Sequence, residues 1–161
     1  MPNWVQWLRS ERVLIDRLYT SNLEVLSAMG GLFEEYVDVR PGYTEALIQR
    51  EREFPTGLPT TPYGVAIPHA DGRYVIQPGL AVCTLKRPIL FREMGNPQNA
   101  VSVKLAILIA LPEAQQTAQV TILQWLLSLI QHQPFLEDVA RCEVHSQVLQ
   151  TFKEYSQRLE K

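Results

Sequence analysis

Residues Val101–Leu111 read VSVKLAILIAL. The later half of this run is apolar without a break, so a strand formed here has two faces to keep from water. That is the pattern of a strand in the middle of a covered sheet. The run is also far too short to cross a bilayer, which takes about 20 apolar residues. Shorter extended segments precede it: Val65–Ile67, Leu80–Leu85 and Ile89–Phe91. On either side of this strand block the apolar spacing changes to three and four, the period of a helix.

Upstream, Glu11–Met29 carries Val13, Leu14, Leu18, Leu23, Leu26 and Met29 at helical spacing, and Ser21–Asn22 is a point where caps or turns divide it. Gly30–Gly31 reads as a stop, followed by a second short helical piece through Tyr36. Thr44 reads as the N-cap of a helix ending near Arg52. Downstream, Val120, Leu123, Leu127 and Ile130 restore helical periodicity, Pro134 opens a short helix, and Ser146–Leu159 forms an amphipathic one. The order is helices, strands, helices, which predicts an α/β or α+β architecture with a small sheet covered by helices.

At 161 residues with 46% apolar composition, the chain suits a single domain, residues 1–161, able to bury a core. Its formal charge of −2 argues against a nucleic-acid binder that relies on phosphate attraction. Cys83 and Cys142 lie far apart and form no C-x-x-C, so they read as reduced thiols rather than metal ligands or a disulfide. The N-terminal stretch lacks the apolar core and cleavage site of a signal peptide. Together these readings predict a soluble, cytoplasmic protein with no membrane insertion. No G-x-S-x-G, phosphate-binding P-loop or paired metal-ligand motif occurs.

The segment Phe54–Gly64, FPTGLPTTPYG, is a loop by composition and leads into Val65–Ile67, Pro68 and His69. Pro68 restricts Ile67 to extended geometry and has no N–H to donate, so the strand stops there and His69 stands at its end. Strand ends are where α/β proteins commonly place functional groups. His69 then has two readings: a histidine hydrogen-bonded into a turn, or a nucleophile. A neutral imidazole attacks phosphorus well near pH 7, provided cations and donors surround the phosphoryl oxygens. Arg50 and Arg52, the hydroxyls of Thr56, Thr60 and Thr61, and the backbone at Gly57 and Gly64 can supply these, or can be helix surface and turn chemistry. Asp71 either orients the imidazole or turns the chain in the sequence ADG. Phe54, Leu58, Pro59, Pro62 and Tyr63 either form an apolar docking patch or pack the loop onto the body.

Taken together, REREFPTGLPTTPYGVAIPH (residues 50–69) resembles the R-E…T-G…G-I-A-I-P-H signature of the enzyme IIA proteins of the sugar phosphotransferase system, mannitol/fructose type. HADGRYVIQPGLAVCTLKRPILFREMG and VKLAILIALPEAQQTAQVTILQWLLSLIQ look most like the galactitol-specific branch. The resemblance covers nearly the whole chain from about Leu8. It implies a mixed β-sheet sandwiched by helices and no metal or organic cofactor. It implies that His69 takes phosphate from phospho-HPr and passes it to a cysteine of a IIB subunit that works with a membrane IIC. Arg50 matches the arginine that holds the phosphoryl group, and Gly57 and Gly64 match the loop glycines. The family commonly has a second histidine after the long strand; the matching position here is Thr117, which donates a hydrogen bond and carries no charge. That departure keeps open a regulatory relative, in which phosphorylation of His69 switches protein binding, and a binding module that is never phosphorylated.

Overall fold

The computed structural model describes residues 4–159. Its centre is a long antiparallel pair, β4 (Gly79–Glu93) and β5 (Asn96–Ala110), reversed through Gly95 at φ 78°. β1 (Leu8–Arg17) runs parallel to β4 on one side, and β3 (Gly64–Ala66) runs parallel to β5 on the other. A two-residue strand, β2 (Gly57–Leu58), pairs antiparallel with β3 and touches the far end of β4. The result is one mixed five-stranded sheet.

Helices cover both faces. Leu80, Val82, Leu105, Ile107 and Ile109 meet α3 (Gln119–Ile130), α4 (Gln133–Ala140) and α5 (His145–Leu159) through Ile122, Leu126, Phe135 and Phe152. The alternate residues Ala81, Cys83, Ala106, Leu108 and Ala110 meet α1 (Asn22–Glu35) and α2 (Tyr43–Glu53) through Val25, Met29, Phe33 and Leu47. The uninterrupted apolar run of β5 is thus explained by two separate cores, one on each face. No described helix is long and apolar enough to cross a membrane.

Four expectations need correction. Glu11–Arg17 is strand, not helix. Arg12 and Leu14 point to the α1 side while Val13 and Ile15 join the α5 side, so the same apolar residues satisfy a period of two. Helix begins only at Asn22, where the Ser21 hydroxyl accepts from the Glu24 amide at 3.3 Å. Leu80–Leu85 and Ile89–Phe91 are one strand, because the register shift between Thr84 and Ile89 absorbs the exposed Lys86–Pro88. Thr44 lies inside α2, whose N-cap is Gly42 at φ 93°.

Gly30–Gly31 does not end the helix; α1 runs through both residues. Gly30 is there for close packing, since a Cβ at that point would lie 2.6 Å from Thr44 Oγ1 and 3.2 Å from Thr44 Cβ. Thr44 Oγ1 is itself held, donating to Glu34 at 2.8 Å. Gly31 faces open space. Gly31→Ala will therefore stabilise the protein by about 0.5–1 kcal/mol through helix propensity, whereas Gly30→Ala will destabilise it. Urea denaturation of the two variants measures both signs.

Candidate functional site

After β3 the chain keeps its place beside β5: the Ile109 amide donates to Pro68 O at 3.1 Å, and His69 bridges to Ile109 in parallel register. This sets His69 against the end of the central strand, next to the 3-10 turn Glu113–Ala118 that leads into α3. His69 Nδ1 lies 3.0 Å from the backbone oxygen of Ile67. A carbonyl only accepts, so the proton is on Nδ1, and Nε2 keeps its lone pair. Burial pushes the His69 pKa below its ordinary value; the bond to Ile67 works the other way, and the charge of Arg50 adds to the lowering. The imidazole is therefore neutral at pH 7.

The half-buried ring opens on a cavity of about 330 Å³ shared with Arg50, Asp71, Glu113, Gln116 and Gln119. Arg50, in the last turn of α2, is the one guanidinium lining it, with its Cζ over the Phe54 ring 4.2 Å from the centroid. Asp71 takes no hydrogen bond from the imidazole. Its carboxylate accepts from the Arg73 amide at 2.9 Å and caps the short turn Gly72–Tyr74. Gln116 donates its amide to Leu111 O at 2.9 Å, while Gln119, the first residue of α3, has no side-chain partner among the described residues.

The loop residues named from sequence lie elsewhere. The Thr56 hydroxyl and amide both donate to the buried Glu51 carboxylate, at 2.7 and 2.8 Å. The Thr60 hydroxyl donates to Tyr63 O at 2.6 Å. Gly57 and Gly64 are strand residues in tight contact: a Cβ would meet Arg92 O at 2.6 Å at the first, and Ser102 O at 2.6 Å at the second. Arg52 and the exposed Thr117 do not line the His69 cavity. Leu58 and Tyr63 pack on the core, leaving Phe54 as the large exposed apolar side chain beside Arg50. Gln116 and Gln119 line the cavity without having been expected there; their i, i+3 spacing on either side of Thr117 is the signal the sequence carries. Nor was a part for Glu51 expected.

Glu51 anchors a run of hydrogen bonds that ends at the imidazole. Thr56 donates to Glu51, Ile67 N donates to Thr56 O at 3.3 Å, and His69 donates to Ile67 O. Among the described residues no three His, Cys, Asp or Glu side chains gather as a metal-holding group.

A family model described as phosphoenolpyruvate-dependent sugar phosphotransferase system, EIIA 2, matches residues 6–155. The galactitol-specific EIIA component of Escherichia coli K12 is 27% identical over 119 residues, which is 74% of this chain and 77% of the relative. The transcriptional regulator ManR of Bacillus subtilis is 30% identical over 111 residues, 68% of this chain but 15% of the regulator. Among solved structures, the complex of mannitol enzyme IIA with phosphorylated enzyme IIB from Escherichia coli superposes with a TM-score of 0.72 at 19% identity. That match spans 91% of this chain and 99% of the solved one.

Burial raises the Glu51 carboxyl to about 7, against the pull of its two bonds from Thr56. The fold prefers the protonated acid, so this contribution is complete below pH 4.5 and is lost as pH rises through about 7. Its size is on the order of 3 kcal/mol. Between pH 5 and 8.5, Glu51→Gln will lose less stability than the parent in urea denaturation; parallel losses would show that the carboxyl does not titrate in the fold.

Proposed function

Because the chain belongs to the EIIA 2 family of the phosphoenolpyruvate-dependent sugar phosphotransferase system, we propose that it carries a phosphoryl group on His69 between two protein partners. The observation that supports this is the neutral imidazole whose Nδ1 proton is committed to Ile67, which leaves the Nε2 lone pair unused on a ring that lines a cavity with Arg50. In the first step the Nε2 lone pair attacks phosphorus, and the N–P bond of phospho-HPr breaks with its electron pair returning to the donor's imidazole. In the second, a IIB thiolate attacks the same phosphorus and His69 Nε2 recovers its lone pair. Neither step needs a metal or an organic cofactor.

Arg50 meets the charge on the phosphoryl oxygens. Gln119 supplies an amide donor from the start of α3. Asp71 and Glu113 line the same cavity and repel a phosphoryl group, which favours handing it on over retaining it. Thr56, Thr60, Gly57 and Gly64 act at a distance, by shaping the loop and the sheet edge that present His69. Thr117 has no part in the transfer. The match to the galactitol-specific component supports uptake of galactitol or a related polyol, with IIB and IIC as the downstream partners in a cytoplasmic relay. The match to a segment of ManR favours a second reading, in which the phosphorylated His69 alters binding to another protein.

Incubation with phosphoenolpyruvate, enzyme I and HPr is expected to add the mass of one phosphoryl group to the parent and none to His69→Ala. An unlabelled parent, or a His69→Ala chain still labelled, would overturn the proposal. Addition of a galactitol-type IIB separates the two readings: a carrier loses its label to the IIB cysteine, and a regulator keeps it. Arg50→Ala will slow labelling by about 10²-fold. Because the His69 pKa is lowered, the labelling rate will hold steady from pH 8 to below 6.5 and fall only under more acid conditions.

A further inference from the structure

A second cavity, of about 1090 Å³, shares no lining residue with the His69 site. It is a cleft between the sheet and the α4–α5 junction, reached by the end of β1, by β4 and β5, and by the residues that open α5. Arg17 from β1, Lys104 from β5 and Arg141 from the junction line it, with His145 beside them. Arg141 pairs with Asp138 at 3.3 Å. Arg17, Lys104 and His145 have no ion pair or side-chain hydrogen bond among the described residues. Lys104 is half-buried on the sheet, in a chain whose overall charge is −2.

Arg17 and Lys104 carry like charge on one cleft with no counter-ion paired to either among the described residues, an arrangement that an anion relieves. The hydroxyl of Ser146 reaches the same space. Two carboxylates, Asp16 and Glu143, also line the cleft without pairing with the cations within 4 Å. They accept hydrogen bonds and suit a neutral, hydroxyl-rich body rather than a second anionic group. Asp16 is fixed in place: it stands at φ 53°, and its amide donates to the buried Thr84 hydroxyl at 2.8 Å. The volume is ample for a small organic molecule.

We propose that this cleft binds a sugar or polyol phosphate, with the phosphate on Lys104, Arg17 and His145 and the hydroxyls on Asp16 and Glu143. The proposal is independent of phosphoryl transfer at His69 and stands or falls separately.

Glucose 6-phosphate, glucose and inorganic phosphate serve as probes in titration calorimetry, with amide chemical shifts to locate binding. Glucose 6-phosphate is expected to bind at least about tenfold more tightly than either fragment. It should shift Lys104, Thr84 and Ser146 and leave His69 in place. The Arg17→Ala/Lys104→Ala double variant should lose about tenfold or more in affinity at an unchanged melting temperature. His145→Gln, at the exposed rim, should weaken binding with no risk to the core. The proposal is overturned by any of four results: no saturation by about 10 mM, equal binding of phosphate alone, shifts centred on His69, or full affinity in both variants.

Discussion

The β4–β5 ladder is buried on both faces, and the rest of the architecture answers to that burial. Residues 105–110 have no exposed position, so each alternate side chain needs an apolar partner. α3–α5 supply it on one face and α1–α2 on the other. Each fully buried aliphatic side chain contributes roughly 1.5–3 kcal/mol. A sheet of this kind therefore cannot leave either layer of helices undocked. β3 adds to the outer side of β5 in parallel, and the Phe54–Gly64 segment, which contains β2, leads into it from α2.

The position of His69 follows from that edge. β3 is three residues long, Pro68 withholds a donor, and the chain then rejoins β5 through the Ile109 amide. The imidazole is fixed by a backbone acceptor rather than by a carboxylate, which frees Asp71 to cap its own turn. Behind it, Glu51 and Thr56 fasten the end of α2 to the incoming loop, on the same helix that presents Arg50. A single short segment thus sets both the imidazole and the guanidinium beside it. The electrostatics follow: partial burial keeps the ring neutral, while Arg50 stays exposed over the Phe54 ring.

On the other face, the buried Arg12 guanidinium pairs with Asp38 and lies 4.5 Å from the Phe33 ring centroid. Asp38 O in turn accepts from the amides of Ile76 and Gln77. This ties β1 to the segment that follows the His69 turn, so the edge strand and the site share one support. Burying such a pair costs desolvation that its mutual attraction offsets, whereas removing one partner alone would leave a buried charge uncompensated.

From the sequence alone came the central strand, the helices after it, and the placing of His69 beyond Pro68, because these depend on local constraints: an unbroken apolar run, a 3.6-residue period, a proline without an N–H. The mixed sheet between helices was legible through the resemblance, and it is the fold observed. Leu8–Arg17 was not legible, since Val13 and Leu14 satisfy a helix or a strand equally, and only the covering of both faces decides between them. Nor could residue types tell that Thr56 serves Glu51, that Gly57 and Gly64 serve strand packing, or that Gln116 and Gln119 rather than Thr117 line the His69 cavity. Those assignments turn on which side of a turn a side chain leaves, a matter settled by packing between residues far apart in the chain.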